Sequence, residues 1–335
     1  MRCAAHFLLL WLLSSCGKES PFEPTPYPWN PPEILPATTV YNPSHITTDG
    51  VELGRALFFD PLLSMDESIS CASCHMPEHF FSDTEPFSQG VSNRIGDRNA
   101  PPLFNLAWHP AFFWDGRASS LEEQALQPIQ HENEMALDLP TLVKRLKDNL
   151  QYRTLFRKAF GSEHISSDRV GHAIAQFEAT LISANSRYDR QRRGEVEFTA
   201  SELLGEELFW SEKAECFHCH GTSLWTDLSF HDIGLDLSPQ DGRLAVTGLN
   251  KDRGLFKTPS LRNLRYTAPY MHDGRFATLE EVLDHYNKGV QKSPNLDPLM
   301  QDGRKLSLTP EELKGLMDFL LTLSEEPTFM STELN

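Results

Sequence analysis

Two five-residue stretches stand out for their chemistry: Cys71-Ala-Ser-Cys74-His75 and Cys216-Phe-His-Cys219-His220. In a Cys-x-x-Cys-His motif two thiols add across the two vinyl groups of a haem. The adjacent histidine is carried beneath the iron as its proximal ligand. A structural zinc site needs four ligands, and neither stretch has a third cysteine nearby. A redox dithiol does not require the trailing histidine, still less twice. Two covalently bound haems c are the expected cofactors, attached through Cys71, Cys74, Cys216 and Cys219, with His75 and His220 on the irons.

What each iron does depends on its other face: a six-coordinate haem passes electrons, whereas an open one binds small ligands. The tract beyond the second motif offers His285 and Tyr286, with Met271 and Met300 as alternatives. A lone histidine or tyrosine on a helix is more often simply packed. Near the first motif lies a different polar group, Gln124, His131, Glu132 and Glu134. A carboxylate over an apolar haem face, its pKa raised by desolvation, could move a proton between the two oxygens of a peroxide. Without a haem the same residues read as a solvated acidic loop. Trp114, in Phe112-Phe113-Trp114, suits a core and also suits electron relay between two haems.

The elements that must position these residues repeat along the chain. Leu53-Gly54-x-x-Leu57-Phe58-Phe59 precedes the first motif, and Leu204-Gly205-x-x-Leu208-Phe209-Trp210 precedes the second. Pro101-x-Leu103-x-Asn105-Leu106 recurs as Pro259-x-Leu261-x-Asn263-Leu264, and Asp115-Gly116-Arg117 as Asp273-Gly274-Arg275. These later blocks are offset by 158 residues and the haem motifs by 145, so the second copy carries 13 additional residues after its cysteines. At the same offset of 158, His285 and Tyr286 fall on Gln127 and Pro128, which are not usual iron ligands. The two copies therefore differ where a sixth ligand would come from.

Helical periodicity closes each copy, through Val170, Ile174, Phe177 and Leu181 in one and Leu313, Leu316, Leu320 and Leu323 in the other. Thr199-x-x-Glu202 and Thr309-Pro310-x-Glu312 are capping boxes, and alternating strand patterns are scarce. The expected fold is all-α, with two cytochrome c-like helical domains related by internal repeat. The N-terminal one spans 48–190 and carries the peroxidatic haem; the C-terminal one spans 191–330 and carries the electron-transfer haem.

The N-terminus reads as a leader. One positive charge precedes the apolar run Phe7–Leu13, and Ser14-Ser15 leads to Cys16. The pattern is that of a bacterial lipoprotein signal over 1–15 with lipid on Cys16, or else of an ordinary cleaved signal peptide. Either form sends the chain out of the cytoplasm, as a periplasmic or cell-envelope protein whose membrane contact is the N-terminal lipid alone. Residues 16–47 are expected to form a Pro-rich tether, although Tyr27, Trp29, Ile34 and Leu35 are unusual choices for a free linker. With 30 Lys+Arg against 47 Asp+Glu the net charge is −17, which excludes nucleic acid and suits a basic protein partner.

The chain resembles the bacterial di-haem cytochrome c peroxidase and MauG-type family over about residues 48–325. The stretches that carry the resemblance are Leu-Gly-Arg-Ala-Leu-Phe-Phe-Asp at 53–60, the first haem motif, Phe-Trp-Asp-Gly-Arg at 113–117 and Leu-Glu-Glu-Gln-Ala at 121–125. Glu-Met at 134–135 and Thr-Ala-Pro-Tyr-Met-His-Asp-Gly-Arg at 267–275 complete it. The resemblance implies that Trp114 stands between the haems and that Gln124 and Glu134 line the peroxide pocket. It also implies that Asn99, Thr267 and Pro269 hold one calcium ion, the last two through backbone carbonyls. Two positions depart from the peroxidase pattern. Many members cap the first haem with a loop histidine, but Val91 stands there. The methionine of the second haem is replaced by Tyr286, the residue type that MauG-type enzymes use.

The resemblance implies an exported peroxidase that reduces hydrogen peroxide over His75, with electrons passed through the second haem from a small cytochrome c or copper protein. The alternative is a MauG-type enzyme that oxidises protein side chains; a plain di-haem electron carrier is a third reading, disfavoured by Val91. A homodimer is compatible with the resemblance.

Overall fold

The computed structural model describes residues 22–38, 40–303 and 306–326. The expected signal segment 1–15 and Cys16 lie outside the described residues. Eleven helices are present among the described residues: α1 (Thr48–Phe59), α2 (Leu121–Gln130), α3 (Leu139–Asp148), α4 (Leu150–Phe160), α5 (Ser167–Ala179), α6 (Arg187–Arg192), α7 (Ala200–Phe209), α8 (Phe217–His220), α9 (Leu244–Thr247), α10 (Leu279–Asp284) and α11 (Pro310–Leu321). Two-residue strands β1 (Phe230–His231) and β2 (Phe256–Lys257) pair antiparallel. Short 3₁₀ turns and loops make up much of the remainder.

The expected caps form. Thr199 and Glu202 close a capping box on α7, and Thr309 and Glu312 another on α11, with Pro310 in the first turn. Two apolar clusters result. One gathers Leu53, Leu57, Phe58, Leu121, Phe156, Ile174 and Phe177; the other Phe209, Trp225, Leu316, Phe319 and Leu323. In each, an early helix crosses the closing helix at a glycine. A Cβ on Gly54 would overlap the Ala173 carbonyl of α5, and one on Gly205 would overlap the Gly315 carbonyl of α11. Only glycine lets these backbones approach so closely.

Between the clusters, Asn105 and Asn263, 158 residues apart, both converge on Ser183. Asn105 Nδ2 donates to the Ser183 carbonyl at 2.8 Å and Asn263 Nδ2 to its hydroxyl at 3.0 Å. Glu325 accepts from the Ser183 hydroxyl at 2.8 Å.

The described part of the Pro-rich segment expected over 16–47 packs against the rest of the chain. Tyr27 N–H donates to Ile46 O at 3.0 Å, Trp29 packs on Trp108 with centroids 5.8 Å apart, and Trp108 Nε1 donates to Pro36 O at 2.8 Å. Leu35 and Ile46 are buried in the first cluster. Proline density sets an extended backbone, but four large apolar side chains decide where that backbone lies. Among the described residues no helix is long and apolar enough to cross a membrane.

Candidate functional site

The two Cys-x-x-Cys-His motifs adopt matching local geometry. His75 Nδ1 donates to Phe81 O at 2.9 Å, and His220 Nδ1 donates to Trp225 O at 2.9 Å. A carbonyl can only accept, so Nδ1 carries the proton in both rings and Nε2 keeps its lone pair. Burial lowers both imidazole pKa values, outweighing these carbonyl bonds, and so favours the neutral form that ligates a metal. None of the four cysteines is in a disulfide, and burial pushes their thiol pKa values up, Cys74 to about 11 and Cys216 and Cys219 to about 12. A raised pKa lowers the thiolate fraction and disfavours redox-dithiol chemistry.

A largely apolar cavity of ≈ 220 Å³ opens over the second motif. Cys216, Cys219 and His220 form one part of its wall; Tyr286, Met271 and Met300 also line it. His285 does not line it, and its Nε2 instead donates to Ile233 O at 3.0 Å. The two residues open the π turn His285–Gly289 that follows α10, and as neighbours on a helix they point in different directions. Burial raises the Tyr286 pKa, and the two neighbouring thiols add to the shift. A haem fits this donor set, because the cavity supplies two thiols, a neutral imidazole whose Nε2 keeps its lone pair and a phenol within apolar walls.

At the first motif, Gln124 on α2 is buried and its Oε1 has no hydrogen-bond partner. Glu134 sits 3.3 Å from His131 Nδ1 and is close enough to both first-motif thiols to raise their pKa values. Burial raises the Glu134 pKa, opposed by His131 and Arg117. The Val91 loop is fastened to the same segment: Val91 N–H donates to Glu134 O at 2.9 Å, and Arg94 donates to Glu132 O at 2.6 Å. Val91 is fully buried and brings no ligand atom.

Trp114 also lines the second cavity, and its Nε1 donates to Asn99 O at 2.8 Å. Asn99, Thr267 and Pro269 are among the residues that line the same cavity. Asn99 Nδ2 faces the Glu85 and Pro86 carbonyls at 3.3 and 3.4 Å, which turns Oδ1 away from them.

Neither motif spacing nor composition points to His272 or Lys257, yet both line this cavity. Lys257 is half-buried, its pKa lowered to about 8 by desolvation, with Nζ on Ala111 O at 2.8 Å. The repeat held the signal: at the offset of 158, His272 corresponds to Trp114 and Lys257 to Asn99.

The description "di-haem cytochrome c peroxidase" matches residues 48–197. The methylamine utilization protein MauG of Methylorubrum extorquens is 43% identical over 299 residues, covering 88% of this chain and 83% of that one. Cytochrome c551 peroxidase of Nitrosomonas europaea is 37% identical, over 84% and 82%. Among solved structures, a MauG-like protein associated with microbial copper homeostasis superposes with a TM-score of 0.84 at 35% identity, over 92% of this chain and 98% of that one. The di-haem peroxidase BthA of Burkholderia thailandensis has the same fold, with a TM-score of 0.74 at 22% identity, over 89% and 90%. The fold and the paired motifs define a di-haem c-type oxidoreductase. The chain belongs to the di-haem cytochrome c peroxidase and MauG family, and that membership implies two c-type haems.

Proposed function

We propose that this protein is a peroxidase that reduces hydrogen peroxide to water at an open first site over His75, with electrons from an external donor entering on the Cys216–His220 side. The observation that carries this reading is Glu134. Its half-buried carboxyl, with a raised pKa, lies within electrostatic reach of both first-motif thiols, in a segment that also holds the ligand-free Val91 loop. When bound, a haem over His75 supplies an iron that accepts a peroxide oxygen and the electrons for cleaving the O–O bond.

The chain's own residues do the rest. Gln124 orients the peroxide through its unpartnered amide, and Glu134 takes the proton from the near oxygen and returns it to the far one. Complete reduction consumes two electrons and two protons per peroxide and yields two waters. Trp114, in the wall of the second cavity, is the crossing point between the sites. Asn99 Oδ1 with the Thr267 and Pro269 carbonyls forms an oxygen set suited to one calcium ion beside it.

Two helical domains, divided near residue 190 and related by internal repeat, are the architecture we infer. Support comes from the two apolar clusters, the paired glycine crossings and the matched histidine–carbonyl bonds. We read the chain as exported, with Cys16 lipidated, and its donor as a small basic cytochrome c or copper protein.

Tyr286 favours a second reading. A phenolate in the second cavity would stabilise high oxidation states and suit MauG-type oxidation of a protein side chain. The deciding experiment mixes fully oxidised holoprotein with peroxide and reduced donor, following haem absorbance and donor oxidation together. Immediate turnover, without prior reduction, is the peroxidase result. Haem spectral change with donor untouched favours the second reading, and silence in both channels overturns both.

A further inference from the structure

His272 is buried, at 4% exposure, in the wall of the second cavity, and its Nε2 has no hydrogen-bond partner. The ring is held from several sides. It stacks on Phe256 with centroids 3.6 Å apart and planes 10° from parallel, and its edge meets Trp114 at 6.5 Å and 70°. Its own carbonyl accepts the Asn99 N–H at 2.9 Å. A ring fixed in this way cannot swing Nε2 out to water, and a buried polar nitrogen without a partner is costly. Its partner must therefore come from the cavity.

The nearby cations are already engaged. Lys257 Nζ donates to Ala111 O, and Arg275 pairs with Asp236 and Asp273. A haem brings two carboxylate side chains, which need donors wherever they are buried. We propose that His272 Nε2–H is the hydrogen-bond donor to a carboxylate of the porphyrin seated over Cys216, Cys219 and His220. This rests on reading the cavity as the seat of the second haem. His272 is then a positioning residue. It fixes the carboxylate edge of the haem against the ring that touches Trp114, the residue standing at the equivalent place in the first half of the chain.

Donation to the carboxylate spreads its negative charge. Removing the donor concentrates that charge near the iron, favours the ferric state and lowers the midpoint potential of that haem alone. The test uses full-length holoprotein as wild type, His272→Phe and His272→Gln. Phenylalanine keeps the stack without a donor, and glutamine keeps a donor without the ring. Covalent haem is counted from the alkaline pyridine spectrum, the propionate bending band is read by resonance Raman, and each haem is titrated spectroelectrochemically.

Two haems are expected in all three proteins. His272→Phe moves the propionate band and lowers the second midpoint potential, while the first haem is unchanged; His272→Gln falls between that variant and wild type. An unmoved band and potential in His272→Phe, with both haems attached, overturn the inference. So does a shift confined to the first haem. If His272→Phe fails to fold, His272→Leu, which also lacks a donor, decides through the same band, and a wild-type band there overturns the proposal. A wild type that carries haem only on Cys71 and Cys74 refutes the reading of the cavity itself.

Discussion

The backbone N–H of Asn99 donates to the carbonyl of His272 at 2.9 Å, and the residues 158 positions from each repeat the bond in reverse: Lys257 N–H donates to Trp114 O at 2.8 Å. Each half of the chain thus grips the other through corresponding residues, as a self-complementary contact does. The side chains break the symmetry. Trp114 Nε1 closes onto Asn99 O at 2.8 Å, whereas His272 Nε2 remains free toward the cavity. The relationship holds an indole against the wall of the second site while fastening it to the first half of the chain.

Replacing Trp114 by phenylalanine keeps an aromatic ring but deletes the bond to Asn99 O. Loss of one buried neutral hydrogen bond costs about 0.5–1.5 kcal/mol, so the fold survives. The expected result is slower electron transfer between the haems, with the reaction of the first haem with peroxide preserved. Stopped-flow absorbance resolves the two steps. Equal slowing of both would show that Trp114 supports the peroxide site rather than the crossing.

Glu134→Gln is expected to lower peroxide turnover by roughly 10²–10⁴-fold while both haems remain attached. The residue acts as a base only when ionised, and burial raises its pKa despite His131 and Arg117. Wild-type turnover therefore falls as pH drops through a value above the ordinary carboxylate range. In the variant, the residual rate loses that limb. Near-wild-type turnover in Glu134→Gln would remove Glu134 from the mechanism.

The haem motifs can be read from the sequence because covalent attachment fixes both residue type and spacing. The helices that close each half can be read because Leu313, Leu316, Leu320 and Leu323 repeat at helical period, with Thr309 marking where the helix begins. Residues 22–47 could not be placed from local signals. Proline sets their extended form, but the contact of Trp29 with Trp108 is made across the chain. His272 and Lys257 carry no spacing code of their own, and their importance comes from burial. Tyr286 and His285 are adjacent in sequence, and the sequence alone does not say which of the two lines the cavity and which bonds to Ile233 O.

Glu178 on α5 is buried, and its Oε2 has no partner. Burial, with a smaller push from Glu122, raises its pKa to about 8. Between the ordinary carboxylate range and that value the folded protein holds a proton that the unfolded chain has released. Stability is therefore full at low pH and lost as pH rises through this window. Glu178→Gln is expected to match wild type near pH 5 and exceed it near pH 8 by on the order of 1–3 kcal/mol. Urea unfolding at the two pH values measures this. Parallel behaviour of the two proteins would mean that Glu178 is ionised in the fold.

Asp189 and Arg262 form an ion pair with both side chains fully shielded, at 2.7 and 3.1 Å. Asp189 also accepts from the Ser186 N–H and hydroxyl at the start of α6, so the pair ties that helix to the segment after Pro259. Burial alone would raise the Asp189 pKa, but the Arg262 bonds and charge outweigh it and the net shift is downward. The pair therefore stabilises the fold above the ordinary carboxylate range and loses that contribution as pH falls through the depressed folded value. Asp189→Asn leaves a buried guanidinium without its counter-charge and is expected to cost about 3–5 kcal/mol in denaturant unfolding at pH 7. The double variant Asp189→Leu with Arg262→Met removes both charges together and should recover much of that loss. If the double variant is no more stable than Asp189→Asn, the hydrogen bonds to Ser186 hold this junction, and the charge of Arg262 is incidental to it.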